Sequence, residues 1–240
     1  MRSAAPLPTH VDLSGNLGPV RDQGNSGSCT GQAGAGFMDW LYNTMQPYFP
    51  KKVSPVEFSA LFLYARERLA NGDFPADNGS DSRTLMWVLN SQGICPNSAD
   101  PFADTAIGQM PTSAMGTAAK PFMIGAYHRV LFDAELATSR SVLASGYCHV
   151  IGIPVYAALE SEEVAETGIL PIPGSQETAI GGHELLVYGY DDDAQVHLVR
   201  NSWGTDWGLS GNLKIPYGYY AAAGGNDFAD AWVGHLGRPW

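Results

Sequence analysis

Basic residues are scarce in this sequence. Only 13 of the 240 residues are Lys or Arg, against 24 Asp or Glu, and the formal net charge is -11. Proteins that bind nucleic acid neutralise phosphates with clusters of Lys and Arg, whereas the only two adjacent basic residues here are Lys51 and Lys52. We therefore exclude nucleic acid as the main partner and attribute the acidity to solubility.

Cysteine is also rare. The three cysteines are Cys29, Cys95 and Cys148. An odd number leaves at least one thiol free, and three are too few for a disulfide scaffold. A bridge between Cys95 and Cys148 stays open. No cysteine pair or Cys–His cluster has the spacing of a structural zinc site, so we predict no metal site.

Long apolar runs are missing as well. No stretch of eighteen apolar residues exists, and the first fifteen residues lack the apolar core of a secretory signal. We therefore expect no membrane segment, and a location in the cytoplasm or outside the cell after release without a classical signal. The chain is 45% hydrophobic and 11% aromatic, which is typical of globular proteins.

The two halves of the chain carry different patterns. Apolar residues recur at helical spacing after Cys29, and two more helices are predicted before residue 110, one of them starting from a capping box at Ser54 and Glu57. Later segments favour strands, with a hairpin at the acidic turn 191–193. We predict an α+β protein with two lobes. Its parts are an N-terminal arm over 1–20, a mainly helical lobe over 21–110, and a mainly β lobe over 111–240 whose C-terminal segment returns to the core.

Small residues surround Cys29 in the segment DQGNSGSCTGQAGAGF. They leave room for a peptide over the sulfur, and a helix starting at Cys29 would favour the thiolate and lower the thiol pKa. Acyl transfer also needs donors for the developing oxyanion. The backbone N–H of Cys29 is one, and the side-chain amide of Gln23, six residues upstream, is a candidate for the second.

A candidate base lies in the second half. His183 follows two glycines in GGHELLVYGY, and Asn201 comes eighteen residues later in RNSWGTDWG. A hairpin formed by these segments would bring the two side chains together. The amide oxygen would then orient the imidazole, and the imidazole would activate the thiol.

These segments resemble, in the same order, the active-site segments of papain-like cysteine peptidases, the papain and cathepsin family. The resemblance implies a papain-like fold, in which a helical lobe and an antiparallel β-barrel-like lobe enclose the active-site cleft. It implies a thiol peptidase with Cys29 as nucleophile and His183 as base. Asn201 would orient the base, and Gln23 would bind the oxyanion. It further implies a monomer that acts on peptides or proteins without a cofactor.

The resemblance also implies substrate-binding residues. Trp203 would shield the His–Asn pair from water, and Trp207 would border the leaving-group side. The full set of implied substrate-binding positions is Gly79, Ser80, Gly182, Glu184, Trp203 and Trp207.

Three positions depart from the family pattern. Two of them, Ser26 and Thr30, are similar to the compact prokaryotic and viral members of the family, and the third, Glu184, alters the substrate pocket. Ser26 stands where most members have a disulfide-bonded cysteine. Its presence fits either a reducing compartment or a loop that is held in another way. Thr30 replaces the usual Trp after the nucleophile. Glu184 replaces a small residue beside the pocket for the substrate's second side chain. Strand alternation puts Glu184 opposite His183, so two orientations stay open, one into the pocket and one toward solvent.

Two other functions stay open. The same thioester chemistry serves acyl transfer to an amine, as in a peptide ligase or transpeptidase, and a catalytically silent binding module would keep the cleft. The arm is too short for the family's inhibitory prodomain. We therefore expect one of two situations. Either residues 1–15 lie across the cleft and obstruct it weakly, or the enzyme is active without proteolytic processing.

Overall fold

A computed structural model describes residues 6–48, 57–133, 135–225 and 230–237. No helix in these ranges has the length and apolar character needed to cross a membrane. The helices are α1 Cys29–Met45, α2 Ala60–Asn71, α3 Ser82–Ser91, α4 Ser113–Ala119, α5 Ala137–Ala144, α6 Glu162–Thr167 and α7 Tyr217–Ala222. The strands are β1 His10–Asp12, β2 Ala126–Val130, β3 His149–Val155, β4 Gly181–Asp191, β5 Val196–Arg200, β6 Asn212–Pro216 and β7 Asp230–His235.

The strands form one antiparallel sheet in the order β2-β7-β3-β4-β5-β6, with β1 paired to β4. Strand β4 is buried on both faces. Leu186 belongs to the core that contains the helical lobe, whereas Leu185 and Val187 belong to the core of the β lobe. This arrangement explains why the segment reads as a continuous apolar run. The predicted α+β fold with a helical part and a β part is confirmed.

Helices α1 and α2 pack closely because α1 carries glycine where α2 crosses it. A side chain at Gly31 would meet the carbonyl oxygen of Ala60 at 2.5 Å and Cβ of Tyr64 at 2.7 Å. A side chain at Gly34 would meet Leu63 at 2.6 Å. The small residues that follow Cys29 therefore serve helix packing, in addition to the open access over the sulfur that the sequence suggested.

The predicted start of α2 is wrong. Ser54 lies outside the described residues, and Glu57 precedes the helix, which begins at Ala60 with the hydroxyl of Ser59 accepting the N–H of Phe62 at 2.9 Å. Tertiary contacts hold the preceding residues in a non-helical path. The N–H of Phe58 donates to Asp39 of α1 at 2.8 Å, and Phe58 forms an isolated antiparallel β-bridge with Pro96. These contacts outweigh the local capping signal.

The N-terminal arm does not cover the cleft over its described residues. Strand β1 pairs with Gly189–Asp191, the end of β4 opposite His183, and the hydroxyl of Tyr190 donates to the carbonyl of Pro8 at 2.6 Å. The predicted gate is therefore wrong for residues 6–15. The arm instead adds a strand to the sheet and covers part of β4.

Deleting residues 1–12 should destabilise the protein, because it removes β1 and exposes the strand it pairs with. We expect a fall in Tm of at least about 5 °C, since each kcal/mol moves the Tm of a domain of this size by roughly 2–4 °C. Thermal unfolding of this variant beside a deletion of residues 1–5 measures the contribution of β1. An unchanged Tm for the longer deletion would show that the arm is not part of the fold's framework.

Candidate active site

An open cleft of about 680 Å³ lies where the start of α1 faces the start of β4. Cys29, Gln23 and His183 line it together, although they are up to 160 residues apart in sequence. Asn201 lies behind the imidazole and does not line the cleft. Of the other residues implied by the sequence, those that line the cleft are Gly79, Ser80, Gly182 and Glu184.

The imidazole of His183 is held in one orientation. Its Nε2 lies 2.7 Å from Oδ1 of Asn201, and the same oxygen accepts the N–H of Ser202 at 2.8 Å. Because that oxygen already accepts a backbone N–H, Nε2 must donate to it, which leaves Nδ1 with a free lone pair. The ring of Trp203 stacks on the imidazole with centroids 4.9 Å apart and is itself backed by Trp207 at 5.1 Å. Trp203 thus packs on the imidazole and Trp207 packs on Trp203, and neither is among the residues that line this cleft.

The side-chain amide of Gln23 is also fixed. Its Oε1 accepts the hydroxyl of Ser202 at 2.6 Å, and its Nε2 donates to the carbonyl of Ser26 at 2.8 Å. An amide nitrogen carries two protons, so one N–H of Gln23 remains for a group in the cleft. Ser202 contacts both Asn201 and Gln23, and the sequence motif alone did not show this link.

The imidazole is buried, and the thiol is largely enclosed but keeps some exposure to the cleft. Burial raises the pKa of Cys29 to about 12, and the nearby carboxyl groups of Glu184 and Glu67 add to the rise, while backbone N–H groups of Glu184 and Thr30 act against it. Burial lowers the pKa of His183 to about 4, and the hydrogen bond that His183 donates to Asn201 acts in the opposite direction. The expectation that the helix start lowers the thiol pKa is therefore reversed. Burial thus favours the neutral form of both the thiol and the imidazole.

Glu184 is turned away from solvent. It shares a face of β4 with Leu186, and this face packs on the helical lobe. The hydroxyl of Ser82 donates to its Oε2 at 2.7 Å, and its Oε1 is buried without a hydrogen-bond partner among the described residues. The opposing residue on β3 is Gly152, which leaves the space that the carboxyl occupies. Burial raises the pKa of Glu184 well above its usual range, and the solvent-facing alternative is wrong.

A second buried carboxyl group, that of Glu67, lies close to Cys29. Glu67 of α2 is fully buried and accepts a hydrogen bond from the hydroxyl of Thr30, the residue after Cys29. Burial raises the pKa of Glu67 to about 8, against the hydroxyls of Thr30 and Ser80. Sequence analysis did not predict this buried carboxyl group, because a charged residue in a helix is most often on its solvated face.

Glu67 should make the protein less stable as the pH rises. Its pKa is raised from 4.5 to about 8 in the folded state, so the folded protein holds the proton more tightly than the unfolded chain. The free energy of unfolding therefore decreases between about pH 4.5 and pH 8. We expect Glu67→Gln to gain Tm relative to wild type when the pH is changed from 5 to 9. Glu166→Gln, at an exposed position, is the control. If the Tm of Glu67→Gln differs from that of wild type by the same amount at pH 5 and pH 9, the raised pKa of Glu67 is contradicted.

Comparison with known proteins gives consistent matches over nearly the whole chain. A family profile described as papain family cysteine protease matches residues 7–229. The crystal structure of xylellain, a cysteine protease from Xylella fastidiosa, superposes with a TM-score of 0.86 and 30% identity, covering 97% of this chain and 88% of xylellain.

Two relatives extend the comparison. An uncharacterized peptidase C1-like protein of Acanthamoeba polyphaga mimivirus is 30% identical over 221 residues, covering 88% of this chain and 68% of the viral protein. Cathepsin K of Gallus gallus is 24% identical over 214 residues, covering 89% of this chain and 59% of the cathepsin. The chain thus spans less than two thirds of the length of that relative.

Proposed function

This chain belongs to the papain family of cysteine proteases, and we propose that it hydrolyses peptide bonds through a thioester formed on Cys29. One observation carries the proposal. The thiol lies in an open cleft beside an imidazole that Asn201 holds at 2.7 Å and an amide, Gln23, that keeps one N–H free. These are a nucleophile, an oriented base and an oxyanion donor in one place.

The proposed reaction begins with attack of the sulfur of Cys29 on a peptide carbonyl carbon, while the thiol proton moves to Nδ1 of His183. A carbon–sulfur bond forms, and the carbonyl oxygen takes the negative charge. Gln23 Nε2–H and the N–H of Cys29 stabilise this oxygen. The negative charge on this oxygen develops in the transition state, where these donors act.

The intermediate then breaks the carbon–nitrogen bond, and His183 gives its proton to the leaving amine. Water then attacks the thioester carbon while His183 takes a proton from it. The carbon–sulfur bond breaks, the acid is released, and His183 returns the proton to the sulfur of Cys29. The ring of Trp203 covers one face of the imidazole, so it keeps water from the His183–Asn201 hydrogen bond during both steps.

Digestion of a peptide library by the wild type beside Cys29→Ala tests the proposal. We expect new peptide termini, found by mass spectrometry, with the wild type only. An added amine nucleophile distinguishes hydrolysis from acyl transfer. If most products at millimolar amine are amides, the protein is a ligase or transpeptidase and not a hydrolase. If peptides bind but are not cleaved, the protein is a catalytically silent binding module.

Specificity is proposed to depend on Glu184. Its buried Oε1 has no partner among the described residues, and Asp77, Asp81 and Asp230 line the same cleft. No Lys or Arg belongs to the described residues that line it. An unpaired buried carboxyl is costly, and a guanidinium satisfies it with two parallel bonds. We therefore propose that the cleft prefers Arg as the second residue before the cleaved bond.

Substrates that differ only in Arg, Leu or Val at that residue test this preference. Wild type should favour Arg, and Glu184→Gln should reduce the ratio of kcat/KM for Arg over Leu by about tenfold, which corresponds to 1.4 kcal/mol. The uncharged Leu and Val substrates report any general loss of activity. A wild type that prefers Leu, with the same ratio in the variant, would remove Glu184 from specificity.

A further inference from the structure

The loop before Cys29 is attached to a neighbouring loop that also lines the cleft, residues 77–79, without a disulfide. Ser26 stands where the family has a cysteine, and all three cysteines of the chain are free thiols. We propose that Asp77 and Tyr64 form a non-covalent clamp that positions both loops for peptide binding. The clamp acts on the proposed peptidase site, so this inference rests on the proposed function.

Asp77 holds the loop that carries the nucleophile. The N–H of Gly27, two residues before Cys29, donates to both carboxylate oxygens of Asp77 at 3.1 and 3.0 Å. A side chain at Gly27 would meet the Asp77 oxygen at 3.0 Å, the Tyr64 hydroxyl at 3.2 Å and the nitrogen of Gly79 at 3.3 Å. Three groups thus converge on this one backbone position, and glycine is needed for that approach.

Tyr64 connects this carboxylate to the backbone of its own loop at Gly79. Its hydroxyl donates to Oδ1 of Asp77 at 2.5 Å and accepts the N–H of Gly79 at 2.9 Å. Gly79 has a φ of +79°, a left-handed conformation that favours glycine. The Tyr64 ring is fully buried in the core next to α1, so its hydroxyl is a fixed point for the loop of Asp77 and Gly79. Asp77 in turn holds the loop of Gly27.

Arg68, one turn further along α2, fixes the start of the same loop. Its guanidinium is fully buried, donates to the carbonyls of Pro75 and Ala76 at 3.1 and 2.9 Å, and lies 4.0 Å from the centroid of the Tyr64 ring. Tyr64 and Arg68 are four residues apart and therefore share a face of the helix. One face of α2 thus sets the path of the cleft wall from residue 75 to Gly79.

The consequence concerns extended substrates more than the thiol itself. Gly27 and Gly79 lie next to each other and both line the cleft near Cys29, so a shift of either loop changes the track along which a peptide lies. A misplacement of about 1 Å can cost about 100-fold in rate. A small reagent needs only access to the sulfur, so its reaction should depend little on the clamp.

Two thiol reagents separate these effects: iodoacetamide, which is small, and a peptidyl epoxide, which must occupy the cleft. In Tyr64→Phe and Asp77→Ala we expect the inactivation rate constant for the epoxide to fall at least about tenfold. The constant for iodoacetamide should stay within about threefold of wild type. Asp77→Asn keeps one acceptor oxygen and should recover part of the epoxide rate.

Asp81→Asn is the matched control. It removes one charge from the same cleft, as Asp77→Asn does, and it keeps the cap of α3, because Asn caps helices as well as Asp. The clamp is contradicted if Asp77→Ala and Tyr64→Phe match Asp81→Asn with the epoxide. It is also contradicted if both reagents slow equally, because that result indicates general distortion. Tyr64→Phe retains the buried ring, so it answers the question even if Asp77→Ala does not fold. Both rate constants describe modification of the Cys29 thiol. The test of the clamp is therefore independent of whether the wild type hydrolyses peptides.

Discussion

Replacing Cys29 with alanine should remove peptide hydrolysis, with kcat/KM at least about 10⁴-fold lower than in the wild type. The sulfur forms the covalent bond in the proposed reaction, and no other thiol lines the cleft among the described residues. The fold should survive, because Cys29 is the first residue of α1, alanine suits a helix, and the sulfur makes only a weak contact with the carbonyl of Gly27 at 4.0 Å.

Circular dichroism and steady-state kinetics of the purified variant check this result. Cys148→Ala is the control, because Cys148 is fully buried in the core outside the cleft. That variant should lose stability, while the folded fraction keeps its turnover. Substantial hydrolysis by Cys29→Ala with native dichroism would show that another group is the nucleophile.

The second large effect is expected for Gln23→Ala, which should lower kcat by about 100-fold or more. The oxyanion exists only in the transition state and intermediates, so the loss should appear in kcat with little change in KM. The geometry supports this because Ser202 and Ser26 fix the amide and leave one N–H for the cleft.

Two variants sharpen the measurement. Ser202→Ala removes the hydroxyl that holds Gln23 Oε1 and should lower kcat less than Gln23→Ala, because the hydrogen bond to Ser26 remains. Gln109→Ala makes the same side-chain change at an exposed position outside the cleft and should match the wild type. If kcat of Gln23→Ala lies within a factor of three of wild type, a different group supplies the second oxyanion donor.

The sequence predicted the parts of the site that are concentrated in short motifs. Cys29, His183 and Asn201 each lie in a segment whose neighbours are needed for close approach or for strand pairing, so the chemistry and the local structure coincide. The alternating register of β4 also placed Glu184 on the face opposite His183. The sequence could not show that this face packs on α1 instead of solvent, because that depends on how the two lobes meet.

Other features depend on contacts between distant segments, and no sequence pattern predicts them. Glu67 and Tyr64 lie in a helix pattern that indicates only a buried face, yet their polar ends bond Thr30 and Asp77. The pKa of Cys29 follows burial more than the start of its helix. Strand β1 is three residues long, too short for its alternation to distinguish a strand from an extended arm.

Selective modification of the thiols tests the central claim most directly. Cys29 is partly exposed in the cleft, whereas Cys95 and Cys148 are fully buried. Treatment of the folded wild type with a peptidyl epoxide, followed by peptide mapping, should find the label on Cys29 alone, with peptidase activity lost in proportion to one label per chain. Label on Cys95 or Cys148, or full activity after complete modification of Cys29, would contradict the account.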